Sequence, residues 1–202
     1  MIFKQETQIL KCTFEKEHFS KVKAAFKDRW PVVYIIEDDE KGQAYIGEST
    51  NICTRICDHW NNTERRALKN IYIIFNKVFN KSVILDLEAF LIGYIVADGK
   101  YRLQNGNGGQ HVHNYYLRDE YQREFRHIWQ LLQDEGVVRH GITLLENQDL
   151  FKYSPYKILN LDQFNVAVQI LTDLKYDLGN NNQSRSFIID GGAGTGKSIL
   201  GI

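Results

Sequence analysis

Val32-Val33-Tyr34-Ile35-Ile36 is a run of five apolar residues rich in β-branched side chains, and behind the polar stretch Glu37 to Gly42 comes a second short run, Ala44-Tyr45-Ile46. Two such runs joined by charged residues and a glycine predict a β-hairpin. Ser49 or Thr50 then stands where it can cap a helix, in which Ile52, Ile56 and Trp60 recur every fourth position as one apolar stripe. Arg55 and His59 share the neighbouring face of that helix. Ile71 to Phe75 predicts a third strand. Ile84 to Val96 predicts a second helix with Ile84, Leu91, Ile92 and Ile95 on its buried side, followed by Gly99. Strands and helices thus alternate along this part of the chain.

Farther along, Leu117, Tyr121, Phe125, Ile128, Trp129 and Leu132 keep helical spacing until Gly136, predicting a connecting helix. Another helix is expected from about Asp162 to Leu178, stopped by Gly179 and the polar stretch 180–184, and a strand at Phe187-Ile188-Ile189-Asp190 follows. The two prolines, Pro31 and Pro155, each precede a new unit. The expected organisation is a helical lead-in over 1–30, a first domain over 31–114, a helical connector over 115–158 and the start of a second domain over 159–202.

Composition narrows the class of protein. The 202 residues are 43% hydrophobic, enough to bury at least one core and part of another. No apolar run approaches the roughly 20 residues needed to span a bilayer, and the charged N-terminus lacks a signal peptide's apolar core. A cytoplasmic location without membrane partners is expected. Three cysteines, Cys12, Cys53 and Cys57, show no framework spacing and read as reduced thiols. Lys plus Arg balances Asp plus Glu at 25 each, so nucleic-acid binding requires a local basic surface. Arg55, Arg65, Arg66 and Lys69 could form one, although a solvated helix carries the same charges.

Gly191-Gly192-Ala193-Gly194-Thr195-Gly196-Lys197-Ser198 fits the phosphate-binding loop G-x-x-x-x-G-K-[ST], directly after an expected strand. Its backbone N–H groups, with those of Gly191, Gly194 and Gly196 among them, would curl around the phosphates of ATP. Lys197 would reach the terminal phosphates, and the Ser198 hydroxyl would hold magnesium. Leu159-Asn160-Leu161-Asp162-Gln163 ahead of this strand and loop resembles the start of superfamily 1 helicases, of the Schlafen type. The resemblance implies that Gln163 reads adenine. Gln163 is otherwise an ordinary polar residue in a helix's first turn. The sequence ends four residues past Ser198, so the chain is expected to be the N-terminal piece of a longer protein whose ATPase is incomplete here.

Glu88 stands out on physical grounds alone. It lies four residues after Ile84 and three, four and seven before Leu91, Ile92 and Ile95, which sets a carboxylate in an apolar stripe. Such a group should be paired, hydrated or bound to a cation, and Mg2+ or Mn2+ suits one carboxylate plus waters and phosphate oxygens. Alternatively, Glu88 lies in a helix's first turn, favoured by the dipole. Tyr34 and Tyr45 taken singly read as ordinary strand residues with hydroxyls at the surface. Paired across one hairpin and followed by Arg55, they suggest a cluster around a phosphate. Cys53, Cys57 and His59 fall short of four zinc ligands, and His111 and His113 read as surface histidines.

Over residues 30 to 110 the chain resembles the GIY-YIG nucleases. Val32-Val33-Tyr34 stands where that family writes G-I-Y, Tyr45-Ile46-Gly47 matches the second half, and Arg55, His59, Glu88 and Asn105 fall at the family's arginine, histidine, metal-binding glutamate and late asparagine. The resemblance implies a small α/β domain, a three-stranded, largely antiparallel sheet flanked by helices, and metal-dependent endonuclease activity on DNA. Tyr34 and Tyr45 would activate water, Arg55 would steady the phosphate, His59 would relay a proton or grip phosphate, and Glu88 would hold the ion. Two departures are Val32 in place of glycine and Glu48 after Gly47, where several members carry a lysine or another group assisting the base. Two further readings stay open, a cleavage-inactive DNA- or junction-binding module that targets the motor and a protein-interaction module of a signalling ATPase. In the active reading, the nuclease serves an ATP-driven translocase in phage defence or DNA repair.

Overall fold

A computed structural model describes residues 7–106 and 115–147, with the isolated positions 166, 170, 188 and 190. In chain order its elements are β1 (Gln8–Thr13), a 3-10 turn at Lys16–His18, α1 (Phe19–Ala25), β2 (Val32–Asp38) and β3 (Gln43–Ser49). These are followed by α2 (Ile52–Asn61), α3 (Thr63–Arg66), β4 (Asn70–Phe75), α4 (Lys81–Asp98), β5 (Arg102–Leu103), α5 (Arg118–Asp134) and α6 (Ile142–Glu146). The chain divides into two compact units, Met1–Ile142 and Thr143–Ile202. In the second unit, Asn147 Nδ2 donates to Thr143 O at 2.8 Å at the end of α6.

The hairpin forms where the apolar runs place it, β2 pairing β3 in antiparallel register with Tyr34 opposite Gly47 and Ile36 opposite Tyr45. The sheet around it is larger than the three strands expected. It has five, in the order β1-β4-β2-β3-β5, and it is mixed because β5 runs parallel to β3. The N-terminal segment, expected to be a helical lead-in, supplies one of the extra strands, since β1 pairs with β4 from Gln8 opposite Phe75 to Thr13 opposite Asn70. This pairing covers the flank of β4 and, among the described residues, leaves α1 as the only α-helix before β2.

Side chains alternate across the sheet, so each face has its own layer. Val32, Tyr34, Ile36, Tyr45, Ile71 and Ile73 turn to one face and form a core with Phe19 and Val22 of α1 and Ile52 and Ile56 of α2. Phe14 completes that core, its ring 5.8 Å from Trp60. Val33, Ile35, Ile46 and Ile74 turn the other way and are fully buried, on the face that α4 covers. Each such aliphatic side chain contributes about 1.5–3 kcal/mol of transfer free energy.

Helix α4 keeps Ile84, Leu91, Ile92 and Ile95 buried as its spacing requires, but its apolar surface is broader than one stripe. Phe90 and Tyr94 face α5, with ring centroids 5.2 Å and 5.1 Å from Phe125. A helix sandwiched between a sheet and another helix needs two apolar sides. Helix α5, assigned by its sequence to a connector, therefore packs on α4 within the first unit. Gly136, at φ 71°, closes α5 in the left-handed conformation that glycine adopts without a Cβ penalty, and Gly99, at φ 68°, does the same for α4. Among the described residues, no helix is long and apolar enough to cross a membrane.

Candidate active site

Helix α2 starts one residue later than a Thr50 cap would place it and two later than a Ser49 cap would. Asn51 is the cap, its side chain accepting from Thr54 N, while Ser49 remains in β3 and its Oγ accepts from Asn51 N at 2.9 Å. That start fixes the rotation of α2. Arg55 and His59, one turn apart, then lie over the hairpin tyrosines.

Tyr34 is fully buried, and its Oη lies 2.7 Å from His59 Nε2 and accepts from Arg55 Nε at 3.3 Å. The Tyr45 ring is 6.3 Å from that of Tyr34 and 4.8 Å from the imidazole of His59. Close approach of the phenol to β3 depends on Gly47, because a Cβ there would sit 2.3 Å from Tyr34 Oη and 2.6 Å from its Cζ. The glycine is thus required by packing rather than by a special backbone conformation.

Electrostatics separate the roles of these groups. Burial pushes the Tyr34 phenol well above its ordinary range, with the neighbouring Tyr45 adding to the rise and the Arg55 guanidinium opposing it. Burial, then the charges of Arg55 and Arg65, hold His59 down to about 3, so its imidazole is neutral at physiological pH. Burial alone would lower the pKa of Arg55, but the adjacent phenols of Tyr34 and Tyr45 raise it. The guanidinium stays charged.

Glu88 comes from the opposite face of the sheet. Helix α4 begins at Lys81 with Asn80 as its cap, accepting from Val83 N at 3.1 Å, so Glu88 is in the third turn and gains nothing from the helix N-terminus. Burial, then the negative charge of Glu48, push its carboxyl up to about 7, against the pull of Lys81 and Arg55. The field of Glu88 also reaches the Tyr34 phenol. The two faces therefore act on one site at the end of β3. Glu48 points to the α4 side and is ion-paired with Lys81 at 2.5 Å through one oxygen, while its other oxygen is buried with no hydrogen-bond partner.

A hard divalent cation fits this donor set. Two carboxylates sit side by side, one with an orphaned oxygen and the other raised toward neutrality by burial and then by its neighbour's charge. Among the described residues no cluster of three or more histidine, cysteine or acidic side chains could enclose a metal. The arrangement suits an ion that keeps its waters and takes phosphate oxygens, rather than zinc.

Asn105 is placed at the outer edge of β3. Its Oδ1 accepts from Ile46 N at 3.0 Å and its Nδ2 donates to Ile46 O at 2.8 Å. Both ends of the amide are thus engaged in holding β3, a positioning arrangement. Gln163, Gly191, Gly194, Gly196, Lys197 and Ser198 lie outside the described residues, as do His111 and His113.

Arg65 enters the site unannounced by helical spacing. Its Nη1 is 3.1 Å from His59 Nδ1 and its guanidinium carbon lies 3.9 Å over the Tyr45 ring. The sequence marked Arg65 only as part of a basic cluster. The available signal was Asn62-Thr63-Glu64, a capping pattern that restarts a short helix after α2 and folds Arg65 back.

No curated protein and no solved structure matches the chain. Residues 31–102 match the family model of the GIY-YIG catalytic domain, a family that indicates an endonuclease acting on DNA. The matched segment runs from the hairpin through α2 and α4, so the likeness to the GIY-YIG catalytic domain takes in the tyrosines, Arg55, His59 and Glu88.

Proposed function

We propose that this domain hydrolyses phosphodiester bonds in DNA in a reaction that depends on a divalent cation. The observation that supports it most is the convergence of Tyr34, Arg55 and His59 from one face of the sheet with Glu88 from the other, inside the segment that matches the catalytic family. Tyr34 is the proton acceptor for the attacking water, and Arg55 stands beside the negative charge that develops on the phosphate. Tyr45 holds the arginines against the site through its ring and its phenol. Glu88, with Glu48 beside it, would hold Mg2+ or Mn2+, and the ion would supply Lewis-acid polarisation of the phosphate.

The same reading extends to the C-terminal segment. The phosphate-loop residues Gly191 to Ser198 and Gln163 serve ATP binding in a helicase-type motor that moves DNA to the nuclease. Phage defence and DNA repair are two settings for such coupling.

Nicking of supercoiled plasmid by the 202-residue chain with Mg2+ or Mn2+ tests the nuclease, with Glu88→Gln and metal-free reactions in parallel. Metal-dependent nicking lost in Glu88→Gln supports the reading. Salt-sensitive DNA binding without any nicking would reduce the domain to a binding module.

A further inference from the structure

Arginine has donors and no acceptor, whereas neutral imidazole has one of each. Arg65 Nη1 lies 3.1 Å from His59 Nδ1, so Nδ1 must be the nitrogen with the lone pair. The single hydrogen of the neutral ring is then on Nε2, which lies 2.7 Å from Tyr34 Oη. We propose that Arg65 is a positioning residue that locks His59 in its Nε2–H form and thereby makes His59 a donor to Tyr34, not an acceptor from it.

This tautomer sets the proton inventory at Tyr34. The phenol oxygen accepts from His59 Nε2–H and from Arg55 Nε–H, the latter at 3.3 Å. Neither neighbour can take the phenol's own hydrogen, which is directed away from both. Once that hydrogen has passed to a water molecule, the phenolate keeps two donors on two of its lone pairs, and the vacated direction is where the proton of the attacking water can arrive. His59 is therefore excluded as the relay that removes the Tyr34 proton. It stabilises the phenolate instead.

Arg65 is itself held from several sides. Its guanidinium stacks on Tyr45 at 3.9 Å, and its backbone N–H donates to Asn62 Oδ1 at 3.0 Å. The positive charge beside Nδ1 also opposes protonation of the ring, in line with the depressed pKa of His59. Burial and the charge of Arg55 keep the ring from being basic, and Arg65 adds to them while fixing which nitrogen donates.

The consequence for catalysis rests on the proposed role of Tyr34, but the tautomer does not, and the test separates them. Long-range nitrogen–proton NMR of the 15N-histidine-labelled chain, without DNA or metal and assigned with His59→Gln, reads the protonated nitrogen directly. Wild type should show hydrogen on Nε2 and a lone pair on Nδ1. Hydrogen on Nδ1, or a charged ring at pH 7, would overturn the inference whether or not the protein nicks DNA. Arg65→Met, which keeps the aliphatic stem without the donors, should lose the pure Nε2–H form. Its kcat for nicking should fall on the order of 10–100-fold, the usual effect of removing a group that orients a site residue. Arg65→Lys, which retains a donor, should recover part of the rate at unchanged KM for DNA. An Arg65→Met protein with the wild-type tautomer, or with an altered tautomer and wild-type kcat, would end the assignment. Should Arg65→Met fail to fold, the wild-type spectrum still decides the tautomer.

Discussion

Replacing Gly47 by alanine adds a single methyl group where the fold has no room for it. The new Cβ would lie 2.3 Å from Tyr34 Oη, 2.6 Å from Tyr34 Cζ and 3.0 Å from Tyr45 Cε1, whereas ordinary contacts begin near 3.4 Å. Relief requires the phenol to move by about 1 Å, the difference between 3.4 and 2.3. Tyr34 is fully buried, so it cannot swing into solvent. Overpacking of this kind costs about 1–3 kcal/mol. Weakening the 2.7 Å and 3.3 Å bonds to His59 and Arg55 adds about 0.5–1.5 kcal/mol each. Alanine's smaller unfolded-state entropy returns about 0.4–1 kcal/mol. The net expectation is roughly 1–6 kcal/mol, or a Tm lower by several degrees or more for a chain of this size. A shift of about 1 Å in the proton acceptor should cut nicking about 100-fold. Urea denaturation and plasmid nicking measure the two effects. In a Tyr34→Phe background the tightest contact is gone while the one to Cζ remains, so the alanine should cost about 1 kcal/mol less. Wild-type Tm and nicking for Gly47→Ala, or strict additivity with Tyr34→Phe, would show that the phenol is not seated against β3 as described.

Glu88→Gln should abolish metal-dependent nicking by several orders of magnitude while leaving metal-free DNA affinity near wild type, since charge and not shape is removed. An active variant would remove Glu88 from the metal site. The carboxyl pKa, raised from 4.5 to about 7, predicts that the folded state binds the extra proton, so stability contributed at low pH is lost as pH rises from about 4.5 through 7. Thermal melts across that window should show the decline in wild type and its absence in Glu88→Gln. His59, lowered from 6.5 to about 3, works in the opposite sense, with stability present above pH 6.5 and lost as pH falls toward 3. Substituting glutamine for His59 should flatten the acid limb of the melting profile. Asn105→Ala removes both hydrogen bonds to Ile46 and should cost about 1–3 kcal/mol by chemical denaturation. An unchanged midpoint would show that the amide does not hold β3.

What could be read from the sequence was local. The hairpin, the helix with Ile52 and Ile56, and the pairing of Arg55 with His59 all follow from periods of two and near four, and the structure has them. β1 was missed because Gln8-Ile9-Leu10-Lys11-Cys12-Thr13 alternates weakly, and its strand character comes from β4, more than fifty residues away. Arg65 was missed as a site residue because a helix break at Asn62 separates it from His59, so no single helical projection contains both. Glu48 was visible only as a departure from a pattern. Its position beside Glu88 depends on how α4 lies across the sheet, a tertiary fact. The apolar setting of Glu88 was legible, but its exclusion from the first turn needed the true start of α4.

The outer edge of β3 carries a further consequence, for behaviour at high concentration. Along that edge Gly42 O and Ala44 O accept from Arg102 N and Gln104 N, and the Asn105 amide takes both polar groups of Ile46. Beyond them the Glu48 N–H faces the Glu88 carboxylate. A strand edge left open is a template on which another chain can add, the usual start of β-mediated aggregation. Here a two-residue strand, one amide and one carboxylate occupy successive places on it. Residues 105 and 88 consequently help close this edge as well as hold it in register, and alanine at both positions should shorten the protein's soluble lifetime even where activity is already lost.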